Sequence, residues 1–406
     1  TKGYITDVFT GEAIRFLEAN RARPFFLYLA YNVPHSPFQV PKPYFRRFKD
    51  AGLEDAVAAS YAMVTNLDEN IGRLMARLDQ LDLAGNTIVI FLTDNGPNGQ
   101  RYNAGLRAAK GSVYEGGVRV PFFIRWPGRF AAGRRLEQIA AHIDVYPTLL
   151  ELCGVPLPAQ QLPLDGRSLV PLLTGPSAAG PDRVLFTHRE TERTPSAVYP
   201  GAVRTQRFNL VNGKELYDIL ADPGEQNDLS AQYPAKVKEL REAYEAWYAV
   251  AGPQCGFPRR PIPVGYAEEP LAVLPAPQSY PHGSLRFHGG PGYAHDWLTG
   301  WTSLDDWVEW EIDVARPGSF EVAFRYLCPA SDVGAKIRLT VAGKTLEGVI
   351  REATPMERKP SRAVFPENNY PEMHWARLRL GRLALPAGRT RLAVRALAKP
   401  GAAVMD

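Results

Sequence analysis

The 406-residue sequence has few cysteines, no long apolar run and little net charge. Its three cysteines, Cys153, Cys255 and Cys328, lie far apart and in no CxxC pair, which excludes a cysteine-rich zinc site and a disulfide framework. No run approaches the ~18 apolar residues that a membrane span requires. The 47 Lys and Arg exceed the 43 Asp and Glu only slightly, so the composition gives no reason to expect nucleic-acid binding.

The composition is otherwise that of a globular protein with several domains. Hydrophobic residues make up 45% and charged residues 22% of the chain, which excludes the disordered and fibrous classes. A chain of this length predicts two or three domains, since one domain takes about 100–200 residues. The 35 glycines and 36 prolines predict many loops between short elements.

The first 155 residues alternate between apolar runs of strand length and amphipathic helical segments. The runs PFFLYLAY and TIVIFLT, which begin at Pro24 and Thr87, are typical of strands in a parallel sheet. A one-sided apolar pattern over 54–83 predicts a long helix, and 118–126 is a further strand candidate. Residues 1–155 are therefore predicted to form an α/β domain on a parallel sheet with right-handed crossovers.

Three further regions follow along the chain. Residues 156–252 contain short strand-like segments and then an amphipathic helix, which predicts a small α+β subdomain. Residues 253–282 are proline-rich and weakly periodic, as in a linker. Over 283–406, apolar and polar residues alternate between glycine and proline turns, which predicts an all-β sandwich that folds independently.

The predicted sandwich resembles galactose-binding-like jelly rolls in its pattern alone and is a candidate carbohydrate-binding domain. Its first part holds Trp297, Trp301, Trp307 and Trp310. Aromatic faces can receive sugar rings, but tryptophans more often fill protein cores. Both interpretations stay open at this point.

Polar side chains follow two of the strand candidates, at the edge where functional groups gather in open parallel sheets. TIVIFLT runs into Asp94 and Asn95, and PFFLYLAY runs into a loop that carries His35. A carboxylate beside an amide oxygen suits a hard cation such as Ca²⁺ or Mg²⁺. An ordinary turn also explains Asn-Gly after a strand, and a histidine between prolines can serve its loop alone.

A longer stretch favours the functional interpretation. The sequence TDNGPNGQRYNAGLRAAKGSVYEGGVRVPFFIRWPG, which begins at Thr93, resembles the sulfatase family of the alkaline-phosphatase superfamily. The segments PFFLYLAYNVPHSPF, AHIDVYPTLLELCGVP, LDGRSLVPLL and ELYDILADPGEQNDL are similar to other parts of that family, and together the matches cover roughly residues 1–250. The resemblance implies an alkaline-phosphatase-like α/β fold and the hydrolysis of sulfate esters.

The resemblance implies roles for four residues at the matching positions. Asp94 and Asn95 would be ligands of a catalytic Ca²⁺, with Mg²⁺ as the alternative ion. His35 and Lys110 would contact the sulfate ester. A cation and an ammonium group offset the negative charge of the transition state, and an imidazole can donate a proton to the leaving oxygen.

Other polar residues of the region have weaker cases. His188 lies where the family often brings a loop toward its substrate, so a substrate contact stands beside a structural role. For Glu115, Arg119, Asp144 and Asp165, contacts in turns, packing and capping are the better explanation.

The sequence departs from the family at the nucleophile. Sulfatases use a formylglycine made from the Cys or Ser of a C/S-x-P-S/A-R motif, and no such motif occurs in this chain. The family's other metal ligands lie upstream of its histidine segment and have no counterpart here. We therefore expect a fragment that corresponds to the C-terminal part of a sulfatase, inactive alone, with the formylglycine in a missing N-terminal part. The resemblance also implies a periplasmic or secreted location.

Two other functions stay open. A phosphoesterase or phosphonate hydrolase of the same superfamily usually holds two metals through additional Asp and His clusters. A non-catalytic carbohydrate-binding protein is the alternative if the nucleophile is genuinely absent. For the sulfatase, the expected partner is a sulfated small molecule or glycan, with no nucleic acid and no membrane span.

Overall fold

The computed structural model describes residues 3–99, 101–175, 182–189, 198–254, 260–289, 295–360 and 372–405. They form two compact units, one of residues 1–35 and 40–257 and the other of residues 36–39 and 258–406. Among the described residues, no helix combines the length and the apolar character that a bilayer crossing requires.

The N-terminal part of the first unit combines long helices with a short pair of strands. Its main elements are α1 (Ile5–Asn20), α2 (Lys42–Lys49), α3 (Asp55–Gln80), β1 (Val89–Leu92), α4 (Glu115–Val118), β2 (Phe122–Arg125) and α5 (Val145–Leu152). Helix α3 is the long helix predicted over 54–83. It is fastened to α1 by the side-chain amides of Asn66 and Asn70, which donate to the Asp7 carboxylate at 3.0 and 2.8 Å.

Strands β1 and β2 pair antiparallel, with Val89 opposite Arg125. The prediction that strands of this region join through a right-handed parallel crossover was therefore wrong for this pair. The physical reason lies in the connection, because a backbone hydrogen bond from Gly96 to Gly117 closes the loop between the strands. The chain consequently enters β2 from the same edge at which it leaves β1.

The predicted strand PFFLYLAY is extended but unpaired among the described residues. Its side chains alternate between half-buried and exposed positions, and Phe26 and Tyr28 are 76% and 82% exposed. Alternation of period two is the mark of an extended segment. A strand also needs a hydrogen-bonded neighbour, which none of the described residues provides for this segment.

The C-terminal part of the first unit is the predicted small α+β subdomain. It contains α6 (Val170–Thr174), β3 (Leu185–His188), β4 (Gly201–Arg204), β5 (Phe208–Val211), β6 (Glu215–Asp218) and α7 (Pro234–Ala251). The strands form one antiparallel sheet in the order β3-β4-β5-β6. Helix α7 buries Val237, Leu240 and Tyr244 against this sheet, where they pack with Val203 and Leu210.

The second unit is a β-sandwich. Its strands are β7 (Ile262–Val264), β8 (Tyr280–His282), β9 (Arg286–Phe287), β10 (Leu298–Thr299), β11 (Trp307–Val314), β12 (Gly318–Tyr326), β13 (Lys336–Val341), β14 (Lys344–Val349), β15 (Ala376–Leu385) and β16 (Gly388–Ala398). One sheet has the order β14-β13-β16-β11-β7, with β8 also paired to β11, and β12 pairs with β15. The inner faces of both sheets share one apolar core.

The segment predicted as a linker, 253–282, contributes to this sandwich. Strand β7 pairs parallel to β11, and its Ile262 and Val264 are each 8% exposed and belong to the core. Strand β8 pairs antiparallel to β11. Weak periodicity hid these strands in the sequence because three-residue strands are too short to show alternation.

The tryptophans of the sandwich serve two different purposes. Trp301 and Trp310 are 2% and 5% exposed and lie in the core, as the packing interpretation predicts. Trp307 lies on the surface between two other groups. The His282 ring stacks on it at 3.8 Å between centroids, and the Arg395 guanidinium lies 4.3 Å from its centroid. Both faces of Trp307 are therefore occupied, which leaves none for a sugar ring.

A β-bulge interrupts the pairing of β12 with β15. The register shifts between Val322 and Ala323, so that Val322 lies opposite Gly381 and Ala323 opposite Arg379. Gly381 has φ +130°, which favours glycine. The extra residue in β15 shifts the alternation of inward and outward side chains by one position along the rest of the strand.

The boundary of the sandwich can be tested by truncation. We expect residues 258–406 to be soluble and to unfold cooperatively, because this unit has a core of its own. Residues 283–406 lack both β7 and β8 and should be less stable by about 1.5–3 kcal/mol for each core side chain lost with them. Urea unfolding of the two proteins, followed by circular dichroism, measures the difference. Equal midpoints would show that these two strands add nothing to the fold.

Candidate active site

Asp94 and Asn95 lie in the turn that directly follows β1. The Asp94 side chain is exposed and the Asn95 side chain is half-buried. The backbone N–H of Asn95 donates to Oδ1 of Asp94 at 2.9 Å. This bond uses one oxygen of the Asp94 carboxylate.

The backbone of this turn is tied to the loop that carries Lys110. The N–H of Lys110 donates to the carbonyl of Pro97 at 2.9 Å, and the N–H of Gly96 donates to the carbonyl of Gly117 at the same distance. The Lys110 side chain is exposed. The fold thus brings together three of the predicted site residues, although 14 positions separate Asn95 from Lys110 in the sequence.

Glycines make this close approach possible. A Cβ on Gly96 would lie 1.9 Å from the carbonyl oxygen of Gly116, and a Cβ on Gly117 would lie 2.2 Å from that of Ser112. Backbone atoms cannot move aside as a flexible side chain can. The Gly-Gly pair of the EGG segment and the glycine of the DNG segment are therefore required by backbone packing.

A buried carboxylate holds the EGG segment in place. Glu225 is 1% exposed and accepts hydrogen bonds from the backbone N–H of Glu115 at 2.8 Å and from the side-chain amide of Asn209 at 2.8 Å. Burial raises the pKa of Glu225. The two hydrogen bonds favour the charged carboxylate and act in the opposite direction, but burial is the larger effect. Glu115 is itself buried and pairs with Arg204 at 3.0 Å.

Arg107 links the same loop to the small subdomain. Its guanidinium donates to the Tyr217 hydroxyl at 2.6 Å and to the backbone carbonyl of Glu225 at 3.0 Å. It also lies 4.2 Å from the centroid of the Tyr114 ring. The loop that presents Lys110 is therefore anchored on both sides of that lysine, by Arg107 before it and by Tyr114 and Glu115 after it.

The two predicted histidines lie in other elements. His35 is exposed and lies in a loop. Its backbone N–H donates to the carbonyl of Asn32 at 3.0 Å, which closes a turn in that loop. His188 ends β3, where its Nδ1 lies 2.8 Å from the hydroxyl of Tyr244 and its ring 4.9 Å from that of Tyr248. These contacts tie His188 to helix α7, in line with the structural role that we weighed for it.

Three of the polar residues for which we expected structural roles, Glu115, Arg119 and Asp144, make such contacts. Besides the buried Glu115, Asp144 accepts hydrogen bonds from the backbone N–H groups of Ala141 and Arg167 at 2.8 and 2.9 Å. Asp144 also pairs with Arg183 at 2.7 Å. Its carboxylate therefore closes the short 3-10 turn His142–Asp144 that precedes α5, and joins this turn to the chain that follows.

Three residues near the predicted site escaped the sequence analysis. The Nε2 of His142 lies 2.7 Å from the carbonyl oxygen of Thr93, immediately before Asp94. The guanidinium of Arg189 donates to the carbonyl of Gly111, immediately after Lys110. The third is Glu225. All three make contacts with residues that are distant in the sequence, so no local sequence pattern indicates them.

The donor atoms present suit a hard cation but form an incomplete set. Asp94 and Asn95 supply a carboxylate and an amide oxygen, the ligand types that Ca²⁺ prefers, and Ca²⁺ takes about 6–8 oxygens. The described residues contain no cluster of three or more His, Cys, Asp or Glu side chains able to hold a metal ion. These two residues therefore fit as part of a larger ligand set.

Replacement of Gly96 tests the backbone packing of the site. We expect Gly96→Ala to destabilise the chain by roughly 1–3 kcal/mol, because its Cβ meets a fixed carbonyl oxygen. Gly72→Ala is the matched control, since a Cβ at that position in α3 meets nothing within 4 Å and alanine favours a helix. Thermal unfolding of both variants measures the contrast. A neutral Gly96→Ala would contradict the close approach.

Two family models match this chain. The model described as Sulfatase matches residues 1–155. The model described as N-sulphoglucosamine sulphohydrolase, C-terminal, matches residues 108–246. The two matches overlap across the EGG segment and together include every residue of the candidate site.

Several curated sulfatases are similar to the same part of the chain. Steryl-sulfatase of Mus musculus is 30% identical over 284 residues, which are 60% of this chain and 44% of the relative. The N-acetylgalactosamine-6-O-sulfatase of Bacteroides thetaiotaomicron is 30% identical over 272 residues, 60% of this chain and 50% of the relative. Arylsulfatase A of Homo sapiens is 35% identical over 244 residues, 57% and 46% respectively. The chain thus spans about half the length of these relatives.

Solved structures agree with this assignment of the fold. The crystal structure of Ps i-CgsB is 29% identical, with a TM-score of 0.55 over 61% of this chain and 55% of that one. A second structure of Ps i-CgsB, in complex with k-i-k-neocarrahexaose, is 30% identical with the same TM-score and coverage. Residues 1–246, which the two family models cover between them, are thus the part of this chain that is similar to sulfatases.

Proposed function

We propose that residues 1–246 belong to a sulfatase that hydrolyses sulfuric esters. One observation carries the proposal most directly: the backbone bonds from Gly96 to Gly117 and from Lys110 to Pro97. They hold the backbone of Lys110 next to the turn that carries the Asp94 carboxylate and the Asn95 amide. Two positive charges, a bound cation and a lysine, are what the transition state of a sulfate ester needs.

The substrate class that we propose is a sulfated carbohydrate, with an aryl sulfate as the second possibility. The support comes from two similar proteins. One is named as an N-acetylgalactosamine-6-O-sulfatase, and the other has been solved in complex with k-i-k-neocarrahexaose.

Each candidate residue has a defined task in this proposal. Asp94 and Asn95 supply two of the oxygen ligands of a Ca²⁺ ion, with Mg²⁺ as the alternative. A bound cation of this kind polarises the sulfate group and offsets its charge. The exposed ammonium of Lys110 binds a sulfate oxygen. His35 donates a hydrogen bond toward the leaving oxygen. His188 is proposed to have a structural role through its contact with Tyr244.

The proposal places the nucleophile outside these 406 residues. The C/S-x-P-S/A-R motif does not occur in the sequence, and a covalent sulfatase mechanism needs an activated nucleophile. We therefore propose that a formylglycine is supplied by an N-terminal part not contained in this sequence, and that the chain alone releases no sulfate.

Paired ester assays test the reaction type. A form of the protein extended at its N-terminus to include the motif should release sulfate from aryl sulfates or sulfated sugars. It should act far more slowly on the matching phosphate and phosphonate esters. Faster cleavage of the phosphate or phosphonate ester would instead assign the chain to a phosphoesterase or phosphonate hydrolase.

Replacement of Lys110 tests the role of its ammonium group. In the extended enzyme, Lys110→Ala should lower kcat about 10²–10³-fold, because a charged group aimed at the transition state contributes about that much to the rate. Lys238→Ala is the control, since that exposed lysine of α7 lies 3.8 Å from Glu242 and has no assigned role in the site. Equal kcat for the two variants would show that the Lys110 ammonium group takes no part in catalysis.

Replacement of Asp94 tests the metal assignment. Asp94→Ala should abolish stoichiometric Ca²⁺ binding in the extended protein, because it removes the charged member of the ligand pair. Asp165→Ala removes an equally exposed carboxylate elsewhere and should leave binding intact. Calorimetric titration with Ca²⁺ gives the result without an activity measurement. Retained stoichiometric binding by Asp94→Ala would exclude this residue as a ligand.

A further inference from the structure

The last two strands of the sandwich are unusually basic. Between Glu372 and Asp406 the sequence contains six arginines and one lysine but no acidic residue. The strand β16 contributes three of these arginines and β15 the other three. Whether their charge is available to a partner depends on the acidic groups that face each strand.

Two of the three arginines of β16 pair with carboxylates of the neighbouring strand, and the third, Arg395, lies over the Trp307 ring. Arg391 pairs with Glu309 and Glu311 on β11, at 3.3 and 3.0 Å. Arg389 lies 3.7 Å from Asp313. The outer face of this sheet therefore consists of matched charges and offers no excess for an external anion.

The outer face of β12 and β15 has the opposite character. The bulge at Gly381 keeps three arginines of β15 on this side, because it restarts the alternation between Arg379 and Arg382. Buried leucines occupy the other side. With Arg325 of β12, these residues form what we call the arginine face, which consists of Arg325, Arg377, Arg379 and Arg382.

The charge of the arginine face is poorly compensated within the protein. Glu321 is its one carboxylate and lies 3.9 Å from Arg377 and 3.7 Å from Arg379, at the outer limit of an ion pair. No ion pair within the described part of the chain involves Arg325 or Arg382. Arg325 also lies directly opposite Arg377, and like charges in that position destabilise a sheet.

A groove continues the arginine face at the edge of β14. It has a volume of about 260 Å³ and is lined by Lys336, Glu347, Gly348, Val349, Arg351, Leu378 and Arg379. Its cations, Lys336, Arg351 and Arg379, are all exposed. Its one carboxylate, Glu347, already pairs with Arg338 at 2.7 Å. The groove therefore presents excess positive charge.

We propose that the arginine face and this groove bind an anionic polysaccharide that carries sulfate groups. Guanidinium groups suit sulfate because they offer paired donors in one plane. Arginines two positions apart on a strand are about 6.6 Å apart, so the face can contact successive charged groups of an extended chain. The choice of sulfate as the anion rests on the proposed function, whereas the excess charge does not.

The composition of the face favours a polysaccharide over a nucleic acid. The outward positions of β12 and β15 also hold Ser319, Ala323 and Ala384, and none of these positions carries an aromatic side chain. Proteins that bind single-stranded nucleic acids usually stack bases on aromatic rings. Trp375, just before β15, is an aromatic ring near the face, and the Arg325 guanidinium lies 5.9 Å from its centroid. The outward positions of the two strands therefore offer no row of rings on which successive bases could stack.

Binding of the full chain to dextran sulfate tests the proposal. The triple variant Arg377→Gln, Arg379→Gln, Arg382→Gln should weaken binding about tenfold or more at 0.15 M salt, since it removes three charge contacts. The control Arg135→Gln, Lys236→Gln, Lys238→Gln removes the same charge from exposed positions of the first unit and should bind normally. Triple replacement by lysine should keep most of the affinity. Thermal unfolding confirms that each variant is folded.

Three further ligands identify the partner class. Uncharged dextran should not bind, and a single-stranded oligonucleotide and anionic lipid vesicles should bind more weakly than dextran sulfate. Equal binding by the two glutamine variants overturns the arginine face as the site. Tighter binding of the oligonucleotide or the vesicles overturns the polysaccharide as the partner. These equilibrium measurements need no turnover, so the proposed sulfatase activity can fail while this proposal holds, and the reverse.

Discussion

The candidate site depends on the contact between two glycine-containing turns. One turn carries Asp94 and Asn95, the other leads from Lys110 to the EGG segment, and Gly96 and Gly117 join them through their backbones. No side chain larger than hydrogen fits between them. The contact explains the antiparallel return of the chain into β2, and next to it a backbone hydrogen bond ties Lys110 to Pro97 of the first turn. Without it, these residues would belong to unrelated loops.

A buried carboxylate extends this contact into the small subdomain. Glu225 accepts a backbone hydrogen bond from the EGG segment, and Arg107 donates to its backbone carbonyl. A buried charge is costly unless it is hydrogen-bonded. The need to keep these hydrogen bonds therefore fixes the positions of Glu225 and the EGG segment relative to each other. The subdomain therefore acts as the support of the site, a role that its own strands and helix do not suggest.

The sequence predicted what short-range patterns encode. The long helix α3, the small α+β subdomain and the β-sandwich follow from periodicity. The resemblance to sulfatases, which the family comparisons confirm, follows from ordered motifs that include Asp94 and Lys110. Strand direction at β1 and β2 and the partners of Glu225 could not be predicted, because they depend on contacts between distant residues. Strand β7 was missed because three residues are too few for a pattern.

The extra residue in the bulge at Gly381 decides which side chains of β15 face outward on the sandwich. With strict alternation of side chains, Arg382 would point into the core and Leu383 would face water. A deletion at this point would therefore exchange inside for outside along the rest of β15, whereas a substitution at Arg382 changes a single charge. The electrostatic character of this surface is accordingly more sensitive to one missing residue than to any one replaced residue.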